Sequence, residues 1–256
     1  MAKKSEKTRK STKYANDRLQ QISKVAASLF FKKGYWRTTT KEIAEACNIS
    51  VGTLYYYIKS KDDFPRMFSK IQTSDVSKWE REVRKDMDNM EPEELLRKAV
   101  REYIYLVDLR ENLVHFWYNI SPYLELTQLE DIVNTVLRVI ATFKDILDRG
   151  VKSGQFKTFD TLLAAINIDM MCISWVLRGW NLYPAYTFEQ YAAACEQFAI
   201  LIARNSDNLK IPDSVKYKKI EAEELKEIWD RERQKRPGGL GSEAWLRPDT
   251  KGKPTT

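Results

Sequence analysis

The sequence predicts an all-α protein, and three observations carry that expectation. Apolar residues recur at spacings of three and four along most of the 256 residues, as in helices that bury one face. Runs that alternate apolar and polar residues, the mark of a half-buried strand, are scarce. A hydroxyl followed three residues later by an acid or amide, a helix-start signature, recurs at Thr39/Glu42, Ser60/Asp63 and Thr187/Gln190.

Taken in chain order, residues 1–13 form a basic, polar arm with nothing to bury, and disorder is expected there. Ile22, Val25, Ala26, Leu29 and Phe30 then make the stripe of an amphipathic helix that stops near Gly34. The Thr39/Glu42 pair starts a short helix reaching Cys47. Asn48 suits a left-handed turn residue, and Ser50 can cap a second short helix ending near Ile58. Two short helices across a tight turn, with a supporting helix in front, make a helix-turn-helix. Beyond it, periodicity predicts helices over 62–88, 92–110, 112–120, 127–149, 158–180 and 187–204, with breaks at Pro92, Pro122, Gly150 with Gly154, and Pro184. The expected organisation is therefore a basic arm (1–13), a helix-turn-helix domain (14–70) and a second helical domain (71–205). A charged helix and flexible tail (206–256) follow, with no function assigned.

Charge is unevenly placed. Residues 1–75 hold 16 Lys/Arg against 7 Asp/Glu, and the remainder 27 against 29, so the whole surplus of +7 belongs to the N-terminal part. Such a concentration fits a small module that meets a polyanion, although a solvated lysine-rich face would read the same. The three cysteines are far apart and form no CxxC pair, which suggests reduced thiols in a cytoplasmic protein. His115 is the only histidine and lies in LVHFWY, a context of packing; no metal site, cofactor or enzymatic activity is expected. The start MAKKSEKTRKSTK has no apolar stretch of a secretory signal, and the run from Leu162 to Leu177 contains Asn167 and Asp169 and falls short of a membrane span.

Residues 50–61 read SVGTLYYYIKSK. Adjacent helical residues are turned by about 100°, so Tyr55, Tyr56 and Tyr57 cannot share one face, and some phenols must point outward. With Ile49, Leu54 and Ile58 in the core, Ser50, Val51, Thr53, Tyr55 and Tyr56 fall on the exposed side and N-terminal tip of the second helix, where a recognition helix meets DNA. Tyr57 is the tyrosine best suited to packing. Gly52 has no side chain to keep a phosphate backbone away.

The stretch from Arg18 to Phe68, centred on LFFKKGYWRTTTKEIAEACNISVGTLYYYIKSKDDF, resembles the DNA-binding domain of the TetR/AcrR transcriptional regulators. Phe30, Gly34, Tyr35, Thr39, Thr40, Ile43, Ala44, Ser50, Gly52, Leu54, Tyr55 and Lys61 fall in register with that family's pattern. Cys47-Asn48 stands where an Ala-Gly turn is usual, and Ile58 where phenylalanine is usual. The resemblance implies phosphate contacts by Thr39 and Thr40 at a helix N-terminus, and a groove surface of Ser50, Val51, Gly52 and Thr53. It also implies backbone or base contacts by Tyr55 and Tyr56, and a phosphate anchor at Lys61. A palindromic double-stranded DNA operator and a homodimer formed by the helices near 158–180 and 187–204 are implied as partners, in a repressor released by a small hydrophobic effector. An activator, or a regulator without effector, would show the same motifs. Aromatic clusters at 103–123 and 175–191 place an expected effector site at Tyr103, Phe116, Met171, Trp175 and Arg178, the arginine meeting an anionic end such as that of an acyl-CoA. Asp108 and Asp169 would instead favour a cation.

Overall fold

The computed structural model describes residues 2–124, 126–157 and 160–204, so the expectation for 206–256 lies outside the described residues. Among these residues there are helices and no strand. Helix α1 (Ala2–Lys33) leads to α2 (Thr40–Ala46) and α3 (Val51–Tyr57), then to the long α4 (Asp63–Asp86). Next come α5 (Pro92–Leu109), α6 (Glu111–Ile120), a single 3-10 turn at Ser121–Tyr123 and α7 (Leu126–Lys152). Helix α8 (Thr161–Leu177), the one-turn α9 (Gly179–Leu182) and α10 (Phe188–Arg204) complete the order.

Two expectations are corrected. Helix α1 extends back to Ala2, where a disordered arm was expected. Residues 2–13 hold no glycine or proline, and alanine, lysine, glutamate and arginine extend a helix readily once the following turns are formed. Helix α7 also runs through Gly150 to Lys152, and the chain turns at Gly154, whose φ of 75° lies in the left-handed region. The other boundaries follow local chemistry. Pro92 occupies the first turn of α5, where its missing N–H costs nothing, Asp160 caps α8 by accepting from the Leu163 amide at 2.8 Å, and Thr187 with Gln190 forms the capping box of α10.

The helices enclose two apolar cores. The larger gathers Trp79, Val83, Leu95, Leu96, Ile104 and Phe143 with the inner faces of α8 and α10. Here α5 packs on α10, and α4 and α8 pack on α7. Polar ties fix the α4–α7 seam: Arg138 Nε donates to Glu80 at 3.0 Å, and the Thr73 and Thr135 hydroxyls are 2.7 Å apart. The smaller core belongs to the helix-turn-helix and holds Ile22, Ala26, Phe30, Ile43, Leu54, Ile58, Phe64 and Phe68. It does not end at residue 70. Leu113, Phe116, Trp117 and Ile120 of α6, with Leu124, Leu129 and Ile132 beyond it, close its far side. Phe116 meets Phe30, Phe68 and Tyr35 at ring separations of 5.7, 4.8 and 5.9 Å.

Candidate nucleic-acid interface and ligand cavity

Local hydrogen bonds shape the two short helices. Thr39 Oγ1 accepts from the Glu42 amide at 3.2 Å, and the Glu42 carboxylate accepts from the Thr39 amide at 2.9 Å, a capping box that fixes the start of α2. Glu42 also accepts from Lys33 Nζ at 2.5 Å, and this bond with those from Thr39 holds its carboxyl down to about 2. Asn48 turns the chain with φ 53°, and Ser50 Oγ accepts from the Thr53 amide at 3.0 Å to start α3. Leu54 and Ile58 are buried, and Ile49 packs against the same core.

The opposite face is open. Tyr55 is 47% exposed and Tyr56 83%, whereas Tyr57 packs partly on the core. Thr40 Oγ1 lies 3.3 Å from the Tyr55 hydroxyl, joining the N-terminus of α2 to the outer face of α3. A Cβ on Gly52 would meet nothing closer than Ser50 Oγ at 3.8 Å, so nothing among the described residues requires glycine there. Ser50, Thr53 and Val51 border the same surface, Val51 being half-buried. Lys61 is placed differently from a free anchor. Its ammonium donates to the carbonyls of Tyr35 at 3.1 Å and Thr38 at 3.2 Å and stands 4.6 Å from the Tyr35 ring centre. An ammonium has three N–H donors, so one remains for a phosphate. Trp36, exposed beside this cluster and stacked edge-on to Tyr35 at 5.0 Å, is a surface feature that sequence reasoning missed. Its only signal was a tryptophan next to the Gly-Tyr pair.

Behind this module a cavity of about 300 Å³ lies among α4, α5, α6, α7 and α8. Of the five residues expected to line an effector site, Tyr103 lines this cavity. Phe116 is in the helix-turn-helix core instead. It lies two residues from Val114 and Tyr118, which do line the cavity, and two residues along a helix reverse the direction of a side chain. Met171 and Trp175 lie on the face of α8 turned away from the cavity, and Arg178 caps the end of that helix; Ile166, Asp169, Met170 and Ile173 are the residues that α8 turns inward. Trp175 packs on Tyr183, Phe188 and Tyr191 and donates Nε1–H to Asp108 at 2.8 Å, and Arg178 is exposed. The arginine on the cavity wall is Arg110, bound to Asp75 at 2.6 and 2.7 Å. Asp169 accepts from the Tyr103 hydroxyl at 2.6 Å, and burial pushes its carboxyl up to about 6, a rise that the Tyr103 bond moderates. His115 is half-buried with its ring 4.5 Å from Phe31, and burial lowers its pKa, as a packing role requires. Among the described residues no group of acids, cysteines and histidine is placed to hold a metal, and no helix is long and apolar enough to cross a membrane.

A capped helix-turn-helix with an open, hydroxyl-rich face, carried on a helical bundle, defines a DNA-binding protein. Residues 22–64 match the model of "Bacterial regulatory proteins, tetR family", and this segment is the DNA-binding domain of a transcriptional regulator. It is similar to the transcriptional regulator HbdR of Aromatoleum sp. (strain CIB), 23% identical over 70% of this chain and 77% of that protein. Among solved structures it resembles the Bacillus subtilis regulator FadR in complex with stearoyl-CoA, at 19% identity and TM-score 0.55, over 72% of this chain and 97% of that one. It also resembles AibR in complex with isovaleryl coenzyme A and operator DNA, at 21% identity and TM-score 0.56, over 71% and 97%. At such identities these likenesses establish the fold.

Proposed function

We propose that the chain is a repressor that binds a palindromic operator as a homodimer and is released when a hydrophobic small molecule fills the cavity. The observation that carries this reading is the double role of α6: Phe116 and Ile120 lie in the core of the DNA-binding module, while Val114 and Tyr118 line the cavity, and Trp117 belongs to both. A ligand that moves α6 therefore acts on the seat of α1 and α4, and so on the position of α3. It can release DNA only by as much as it prefers the displaced arrangement; a hundredfold preference corresponds to about 2.7 kcal/mol. Exposed Phe198 and Leu201 on α10 support a dimer contact through α8 and α10. The acyl-CoA complexes of FadR and AibR support an apolar effector class. A cavity of about 300 Å³ is at the small end of ligand sites, so it suits an acyl-sized body rather than a whole coenzyme A ester.

Selection of DNA from a random pool by the full-length protein tests the reading. An inverted repeat with half-sites about 34 Å or a multiple apart is the expected product, with a dimer on each duplex. Enrichment of no sequence, or of one half-site bound by a monomer, would sink it. Transcription from a template carrying the selected site should fall on adding the protein; a rise would mark an activator.

A further inference from the structure

Buried polar groups in a protein interior are nearly always partnered, and the lining of this cavity departs from that rule in a directed way. Trp117 is 6% exposed, yet its indole N–H has no acceptor among the described residues. The enclosed side-chain oxygen of Gln72 likewise has no donor among them. Asp169 is 3% exposed; among the described residues Tyr103 gives its carboxyl its only hydrogen bond, and no cation is in contact with it. The other charged groups on the wall, Arg110 and Asp75, are closed on each other. What is left over is thus one anion, one acceptor and one donor in otherwise apolar surroundings.

We propose that the cavity is built for a lipophilic amine, an apolar body bearing a protonated nitrogen against Asp169 and a hydrogen-bond acceptor against the Trp117 indole. The proposal rests on reading the cavity as the effector site and narrows the chemistry of what enters it. An ammonium supplies both the charge that Asp169 lacks and the N–H donors that it and Gln72 can accept. A carboxylate would stand beside Asp169 with no free cation among the described residues to offset the repulsion, since Arg110 is already engaged by Asp75. The same wall therefore selects against an acidic effector, and Arg178, exposed at the C-terminal end of α8 and outside the cavity lining, offers it no counter-charge.

Calorimetric titration of the full-length protein with phenylbutylamine, phenylbutanol and phenylbutyrate, which share one apolar body, tests the assignment. The amine should bind about tenfold or more tighter than the acid, and Asp169→Asn should remove that preference while leaving the alcohol within about threefold. Phenoxypropylamine, which adds an ether oxygen, should bind more tightly than phenylbutylamine, and Trp117→Phe should abolish that gain. Acid binding as tight as amine binding, or an amine preference that survives Asp169→Asn, would overturn the amine assignment and leave the cavity as a ligand site. Binding of none of the three compounds would overturn the effector reading and the amine assignment together.

Discussion

At Lys61 one ammonium holds the carbonyls of Tyr35 and Thr38 and covers the Tyr35 ring, so the turn before α2 is tied to the start of α4. Lys61→Met should therefore lower stability by about 1–3 kcal/mol in urea denaturation, as loss of charge-assisted bonds does. It should also weaken operator binding well below the melting temperature. Tyr56→Ala, at an outward-facing ring, should cut operator affinity with stability nearly unchanged; equal stability losses in both variants would refute this division of roles. Asp169 makes a prediction of opposite sign. Its carboxyl rises from 3.8 to about 6 on folding, so the folded state binds the proton more tightly, and the ionised group costs the fold roughly 3 kcal/mol at most above pH 6. That cost fades as pH falls from about 6 towards 4. Asp169→Asn should stabilise the ligand-free protein at neutral pH and lose its advantage near pH 4, with Tyr103, Tyr118 and Cys172 as the titratable groups around it. Thr39, Asn48 and Ser50 were legible in the sequence because capping and left-handed turns depend on residues a few positions apart. The inward turn of Lys61 was not, because its carbonyl partners lie 26 and 23 residues away.

Apart from the start of α1 and the end of α7, helix limits could be read from caps and breakers, but helix phase could be read only where a polar face existed. Helix α8, TLLAAINIDMMCISWVL, is apolar nearly all round, so its sequence does not say which stripe faces the cavity. The expected stripe of Met171, Trp175 and Arg178 was consequently about half a turn out of register with Asp169 and Ile173. Helix α7 supplies a test of packing against propensity. Alanine exceeds glycine in helix propensity by about 1 kcal/mol, yet a Cβ at Gly150 would come within 2.0 Å of the buried Phe156 ring. Gly150→Ala should therefore destabilise, by about 1–3 kcal/mol as overpacking does, and a raised melting temperature would show that the ring yields freely.

On the scale of the whole molecule, the two cores meet through shared helices. Val76, Trp79 and Val83 of α4 enter the larger core, Phe64 and Phe68 of the same helix the smaller one, and α6 closes the smaller core from the far side. A helix-turn-helix unit ending at residue 70, as sequence patterning suggested, leaves Phe30 and Phe68 without their Phe116 neighbour. A fragment of residues 1–75 should show no cooperative thermal transition, whereas the full chain should; cooperative melting of the fragment would restore the simpler division. The sequence could not display this because the contacts that join α1 to α6 span more than 80 residues, as Phe30 with Phe116 does.

The uncompensated Asp169 sets sensing against endurance. A population selected for heat resistance alone would gain by replacing that carboxylate with a neutral group, and would lose the charge that the amine proposal makes the basis of recognition. Retention of the acid in a lineage would then record selection for response, and its loss would announce a regulator grown deaf to its signal.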